Sequence, residues 1–180
     1  MDTMGPTEFE LGDVLFDEGQ IRQRVAELAQ QIAADYAGQE LVLVGTLKGA
    51  FVFLADLMRG IPGPVRVGFL WAASYGNNTT SSGQVRLDLK MLGDIKDRAV
   101  LIVEDIVDTG RTLQRAVEGV RAAGPRSVKT CCLLDKPSRR EVDVSPDYVG
   151  FTVPDVFVVG YGLDYAEKYR NLPYVAALRT

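Results

Sequence analysis

Near the middle of the chain an aliphatic run, Val100-Leu101-Ile102-Val103, ends in two adjacent carboxylates, Glu104 and Asp105. It continues as Ile106-Val107-Asp108-Thr109-Gly110-Arg111-Thr112-Leu113. A run this apolar reads as a buried strand, and the spacing of apolar residues from Thr112 onward reads as a helix. Whatever the fold, it has to bring two acids to the C-terminal edge of a strand and then turn tightly, through hydroxyls and a glycine, into that helix. Such a turn can bind phosphate with backbone N–H groups and the helix dipole. The acids beside it can hold ribose hydroxyls, a divalent metal or a proton in transit. Helix capping alone would account for Asp108 and Thr109. It would not account for two further acids at the end of a buried run.

The rest of the chain repeats the strand–helix alternation. Residues Asp17 to Tyr36 are predicted to be a helix, because Ile21, Val25, Leu28 and Ile32 recur at helical spacing. Asp17 with Gln20 resembles a capping box, and Gly38 is a plausible stop. Leu41 to Gly45 reads as a short buried strand. Gly49 to Arg59 reads as a helix with Ala50, Leu54, Leu57 and Met58 inward. Strands are expected at Val65 to Ala73, Val85 to Leu89, Ala99 to Val103, Ser127 to Leu134, Tyr148 to Phe151, Val156 to Val159 and Tyr174 to Leu178. A helix is expected from Thr112 to Ala123, stopped by Gly124-Pro125. Between two strand-like runs lies Ser74 to Gln84, a polar loop with the composition of a mobile lid or of an ordinary hairpin loop. The pattern implies an α/β fold, with a parallel sheet and helices on both faces. Ligands in such sheets sit at the carboxyl ends of the strands.

Composition narrows the chemistry. With 180 residues, 47% of them hydrophobic, the chain fits one domain with a real core. A net charge of −4 argues against a general electrostatic grip on nucleic acid. No apolar run approaches membrane-spanning length, and the first ten residues do not resemble a signal peptide. The only two cysteines, Cys131 and Cys132, are neighbours that a strand would point to opposite faces. A reduced cytoplasmic setting fits them. There is no histidine at all. Acid–base work near neutrality therefore falls to a carboxylate, Lys, Tyr, Cys or the substrate.

Three further segments carry candidate chemistry. Val44-Gly45-Thr46-Leu47-Lys48-Gly49-Ala50 joins a strand to a helix. It is either a turn with a surface lysine or an anion loop in which amides and Lys48 face a pyrophosphate; the Walker spacing is absent. In Leu133-Leu134-Asp135-Lys136-Pro137-Ser138-Arg139-Arg140, a lysine just past a buried strand could donate to a carbonyl oxygen. Taken alone, Lys136 reads as a surface residue, and Arg139 with Arg140 as a solvated face. In Phe157-Val158-Val159-Gly160-Tyr161-Gly162-Leu163-Asp164-Tyr165, the glycines make only a broken dinucleotide fingerprint. The aromatic and the acid could stack a flat base and hold a metal, or be a core Phe157 and a turn Asp164.

Together these segments resemble the bacterial hypoxanthine-guanine phosphoribosyltransferases, within the type I phosphoribosyltransferase family. The resemblance runs from about Phe9 to Leu178. It is carried by LVLVGTLKGAFVFLADL, SYGNNTTSSGQV, VLIVEDIVDTGRTL, LLDKPSRR and DYVGFTVPDVFVVGYGLDYAEKYRNLPYV. The last block separates purine salvage from orotate and adenine relatives. One departure is Leu89-Lys90-Met91-Leu92, where relatives usually carry Lys-Asp-Leu-Asp; it bears on a loop or subunit contacts.

The resemblance implies a type I phosphoribosyltransferase fold: a central, mainly parallel sheet flanked by helices. A small hood would be built from the N- and C-terminal segments, about 1–16 and 137–180 of a single domain spanning 1–180. It implies transfer of 5-phosphoribosyl from phosphoribosyl pyrophosphate to N9 of hypoxanthine or guanine, with Mg2+ as cofactor. By the same resemblance, Asp108, Thr109, Gly110, Arg111 and Thr112 cradle the 5′-phosphate. Glu104 and Asp105 lie along the ribose and its magnesium. Asp108 is the base at purine N7. Lys136 faces the 6-oxo group, Phe157 stacks on the purine and the Val158 backbone meets its edge. Asp164, at the purine end, helps hold a second magnesium. Lys48, Gly49 and Arg170 meet pyrophosphate, and Ser74 and Tyr75 close over it. In relatives the peptide bond matching Leu47–Lys48 is cis. A cytoplasmic homodimer or homotetramer, binding neither nucleic acid nor membrane, is expected. Two competing readings are a regulator that senses the phosphoribosyl donor and an enzyme of this fold that prefers xanthine.

Overall fold

The main sheet begins only at Leu41.

 The computed structural model describes residues 11–74 and 85–179. Strand β1 (Leu11–Phe16) stands apart from that sheet, and its partners are described below.

Helix α1 (Glu18–Asp35) forms where the apolar spacing places it, and Ile21, Val25, Leu28 and Ile32 are all buried. Its first turn is closed by a reciprocal cap. The Gln20 amide donates to Asp17 Oδ1 at 2.8 Å, and the Asp17 amide donates to Gln20 Oε1 at 2.9 Å. Strand β2 (Leu41–Leu47) runs two residues past the expected Gly45. Helix α2 (Phe51–Arg59) starts two residues later than expected, because Lys48 to Ala50 form a turn. The inward face of α2 is Phe53, Leu54 and Leu57, with Ala50 buried in the turn before it. Met58 lies a step round the helix from that face and is 37% exposed, so its expected inward placement is corrected.

Strand β3 (Val65–Ser74) pairs with β4 (Val85–Asp88) in the one antiparallel contact of the main sheet among the described residues. Strand β5 (Ala99–Val107) extends four residues beyond the expected Val103. The acids interrupt the apolar pattern but not the ladder, since Glu104 still pairs with Cys132 and Val107 with Asp135. Glu104 and Asp105 are therefore part of the strand rather than residues just past its end. Helix α3 (Arg111–Ala122) and β6 (Ser127–Asp135) follow, then a 3-10 turn (Pro137–Arg139) and β7 (Tyr148–Thr152). The last strands, β8 (Val158–Val159) and β9 (Val175–Leu178), are short. Strand β8 is shorter than the expected Val156 to Val159, because the Val156 amide donates to Pro154 O and closes a turn instead.

The main sheet has the order β4-β3-β2-β5-β6-β7, with every pair parallel except β3–β4. Side chains alternate across it. Leu43, Leu101 and Leu133 pack with Leu28, Phe53 and Leu57 from α1 and α2. Val44, Ile102 and Cys132 pack with Leu113, Ala116 and Val120 of α3 on the other face. Neighbouring Cys131 and Cys132 fall one into each core, as strand alternation requires. The second sheet, ordered β1-β9-β8, is antiparallel. Of the strands within 137–180, β8 and β9 belong to this small sheet and β7 to the edge of the main one. The departing segment at 89–92 lies along β3. The Phe69 amide donates to Met91 O at 3.0 Å, and Leu92 is buried.

Candidate active site

Strands β2 and β5 lie side by side and parallel, so their C-terminal ends open onto one cleft. It measures about 350 Å³ and is lined by Thr46, Lys48, Gly49, Glu104, Asp105, Asp108, Thr109, Gly110, Thr112, Asp164 and Arg170. Ten of the residues singled out from the sequence therefore share one wall-to-wall space; Thr46 was not among them. A larger groove of about 830 Å³ lies between α1, α2 and residues 170–173, lined by Ile21, Val25, Phe51 and Leu172 among others. Its lining carries Glu18, Asp56 and Tyr161, but neither the β5 acids nor the turn before α3. Chemistry rather than size therefore marks the site.

The acids of β5 sit in unlike surroundings. Glu104 is 3% exposed and accepts a hydrogen bond from Thr46 Oγ1 at 2.8 Å. Burial, and then the charge of Asp105, push Glu104 up to about 8. Burial pushes Asp105 up to about 6, opposed by backbone hydrogen bonds and by Arg170. The fold thus favours protonated Glu104. The stability it contributes is full below the ordinary carboxylate value of 4.5 and is lost as pH rises through about 8. Glu104→Gln, which keeps an acceptor for Thr46, should flatten that loss. At pH 9 the variant should melt a few degrees above the parent, by about 2–8 °C. Melting curves whose pH dependence is parallel for the two proteins would rule the assignment out.

Across the cleft the chain is packed against Asp105. A Cβ placed on Gly49 would stand 1.7 Å from Asp105 Oδ2, so only glycine fits while that carboxylate stays in place. The Leu47–Lys48 peptide bond before it is cis, as the resemblance implied. Gly162, at φ 99°, presses on the same turn: its Cβ would lie 2.3 Å from Gly49 O. Gly49→Ala should displace Asp105 and lower kcat/KM at least roughly tenfold. Unchanged kinetics would mean that the turn relaxes without moving the acid.

The cations of the cleft are held by acids. Lys48 Nζ lies 2.9 Å from Glu167 Oε2. Arg170 pairs with Asp164 at 3.0 Å and with Glu167 at 3.6 Å, and donates to Gly162 O at 2.7 Å. Asp164 also accepts the Glu167 amide at 2.8 Å, so it caps a turn while lining the cleft. Sequence reasoning missed Glu167 and Thr46. Both lie inside quoted motif blocks, where neither residue type alone signals a role.

The turn before α3, read from the sequence as a phosphate cradle, is built as a backbone feature. Gly110, at φ 85°, precedes α3 without a side-chain cap, so Asp108 is not the cap of that helix. Asp108 is instead ion-paired with Arg139, whose Nε donates to Oδ1 at 3.2 Å. The Thr109 hydroxyl accepts the Arg111 amide at 3.4 Å. The Arg111 side chain points away to Glu141 at 2.6 Å.

Lys136, Phe157 and Val158 are not among the residues that line the cleft. Lys136 is 6% exposed, which overturns its reading as a surface lysine. Its Nζ donates to Val156 O at 2.5 Å, and its amide donates to Val107 O at 2.9 Å, tying it to the root of the turn. An ammonium has three donors. Phe157 is 48% exposed, not core, and meets Tyr165 edge-on with ring centres 5.6 Å apart. Val158 is buried and paired with Ala177. Arg140 is no solvated face either: it pairs with Asp135, and the two side chains are 15% and 14% exposed. Ser74 ends β3, paired with Val85. Tyr75, and the loop to Gln84 expected to act as a lid, lie outside the described residues.

Among the described residues no group of three or more His, Cys, Asp or Glu side chains converges as a metal cage. Magnesium is ordinarily held by one or two carboxylates together with substrate phosphates. Glu104, Asp105 and Asp164 on the wall of one cleft suit that arrangement.

Residues 13–166 match the model of the phosphoribosyl transferase domain. The chain belongs to the phosphoribosyltransferase family. It is 49% identical over 165 residues to a hypoxanthine phosphoribosyltransferase of Salmonella typhimurium, covering 91% of this chain and 93% of that one. A crystal structure of a hypoxanthine-guanine phosphoribosyltransferase from Bacillus anthracis superposes with a TM-score of 0.88 at 44% identity. That match covers 95% of this chain and 99% of the other. A hypoxanthine phosphoribosyltransferase structure from Trypanosoma cruzi, studied for the role of its C-terminal region in oligomeric state and activity, gives 0.87 at 45% identity. It covers 97% of this chain and 95% of the other. The mainly parallel sheet, the helices on both its faces and the small second sheet are thus those of a type I phosphoribosyltransferase.

Proposed function

We propose that the chain is a purine-salvage enzyme that transfers 5-phosphoribosyl from phosphoribosyl pyrophosphate to N9 of hypoxanthine or guanine, giving IMP or GMP and pyrophosphate. The observation that carries this reading is the buried Lys136, joined through its own amide to the root of the phosphate turn. A cation built into that position suits a base with a carbonyl oxygen, one strand end away from a phosphate cradle.

In this reading the amides of Asp108 to Thr112 and the α3 dipole hold the 5′-phosphate. Glu104 and Asp105 lie along the ribose. Lys48, Gly49 and Arg170 hold the pyrophosphate, and Ser74 and Tyr75 close over it. The ion pairs of Lys48 and Arg170 with Glu167 and Asp164 support this role, since they keep both cations at the cleft. Phe157 stacks on the purine, the Val158 backbone meets its edge and Asp108 takes the proton from N7. As the C1′–O bond breaks, positive charge develops on the ribose and negative charge on the leaving group. Dipoles and charges already aimed there stabilise both. Magnesium, held by Glu104, Asp105 or Asp164 together with the donor, would supply charge neutralisation and a template.

The enzyme would work in the cytoplasm as a homodimer or homotetramer, and sedimentation measures the second point. Two buried, unpaired cysteines support the reduced setting. The deciding experiment is a steady-state assay with the donor against hypoxanthine, guanine, xanthine and adenine. Turnover is expected with the first two. Donor binding without turnover of any purine would favour a sensor of the donor instead.

A further inference from the structure

Three successive carbonyls at the turn before α3 each accept a hydrogen bond from the segment 136–141. The Lys136 amide donates to Val107 O at 2.9 Å, and the Glu141 amide donates to Thr109 O at 2.9 Å. Between them Asp108 O has a side-chain donor: Arg140 Nη1, at 2.8 Å. Arg140 Nη2 is ion-paired with Asp135, the last residue of β6. One guanidinium therefore spans the ends of β5 and β6. It is packed as well as bonded, since a Cβ on Gly110 would lie 2.8 Å from Arg140 Cδ and 2.6 Å from Val144 Cγ1.

In a planar trans peptide the C=O and the following N–H point in opposite directions. Bonding the oxygens of Val107, Asp108 and Thr109 to the 136–141 segment turns the amides of Asp108, Thr109 and Gly110 away from that segment. Asp108, Thr109 and Gly110 line the cleft and residues 136–141 do not. Two of the three anchors are backbone N–H groups that every residue but proline supplies. The middle one depends on a single side chain. We propose that Arg140 is a positioning residue for the 5′-phosphate: by holding the Asp108 carbonyl it keeps the phosphate turn aimed into the cleft. Arg140 is not among the residues that line the cleft. The inference rests on reading 108–112 as the phosphate site.

A lysine at position 140 can still pair with Asp135 but has no planar fork to serve Asp108 O as well. Arg140→Lys should therefore raise the Kd of GMP, measured by calorimetry, by roughly tenfold to hundredfold. Pyrophosphate with magnesium, which uses the opposite wall of the cleft, should bind as in the parent. Arg140→Met leaves Asp135 buried without its partner and is at risk of unfolding. The double variant Asp135→Asn with Arg140→Met removes that charge and carries the same expectation. Unchanged GMP affinity in a folded variant, or equal weakening of GMP and pyrophosphate, would overturn the inference while leaving the functional reading intact. A parent protein that binds neither ligand would overturn both.

Discussion

Asp108→Asn is expected to lower kcat by roughly 10²–10⁴-fold, the range of a lost general base, while leaving donor affinity close to the parent's. Asparagine keeps the size of the side chain and an acceptor for Arg139, which now donates to Asp108 Oδ1 at 3.2 Å. What it loses is the capacity to take a proton. Donor affinity survives because backbone amides carry the phosphate grip. With no histidine in the chain, no imidazole can substitute for the carboxylate or obscure its pH profile. The substrate phosphates and the purine also titrate, so the variant needs a profile of its own. Near-normal turnover with the parent's acidic limb would place the base elsewhere.

Lys136→Ala should cost roughly 10²–10³-fold in kcat/KM for hypoxanthine and guanine, comparable to removing one preorganised donor from an oxyanion site. In the proposed reading, negative charge grows on the 6-oxo group as N7 loses its proton, and the ammonium, fixed by Val156 O, would face it. Adenine offers an amino group there, which an ammonium cannot serve because it only donates. The lead of the 6-oxopurines over adenine should therefore narrow. An unchanged ratio among the bases would remove Lys136 from the selectivity filter.

The phosphate turn was legible because its chemistry is local: a strand, a glycine, hydroxyls and a helix follow one another in the chain. The burial of Lys136 was not, because it depends on Val156, twenty residues further along the chain. Arg140 was misread for the same reason, since its partners include Asp108, on another strand's end. The length of β5 was underestimated because Glu104 and Asp105 break the apolar pattern, whereas the parallel ladder depends on backbone groups and continues past them. In α2, the helical spacing was right and Ala50, Leu54 and Leu57 are inward as expected; only Met58 is exposed, and Phe53 is buried in addition. The residues that line the cleft came from the motif blocks; what binds those blocks to one another had to be seen in three dimensions.

The small sheet sets an order of assembly. Strand β8 carries Val158 and follows directly on Phe157; it pairs with β9, and β9 pairs with β1. During synthesis β1 emerges before any strand of the main sheet, yet its partner is made only after all of them. The turn before α3 can form once β5, α3, β6 and the segment through Val144 have left the ribosome, because all of its partners lie in that stretch. The segment that carries Phe157 and Val158 has to wait for the final strand. In the proposed reading, a chain cut short before Val175 would keep its phosphate cradle and lose the surface on which the purine rests.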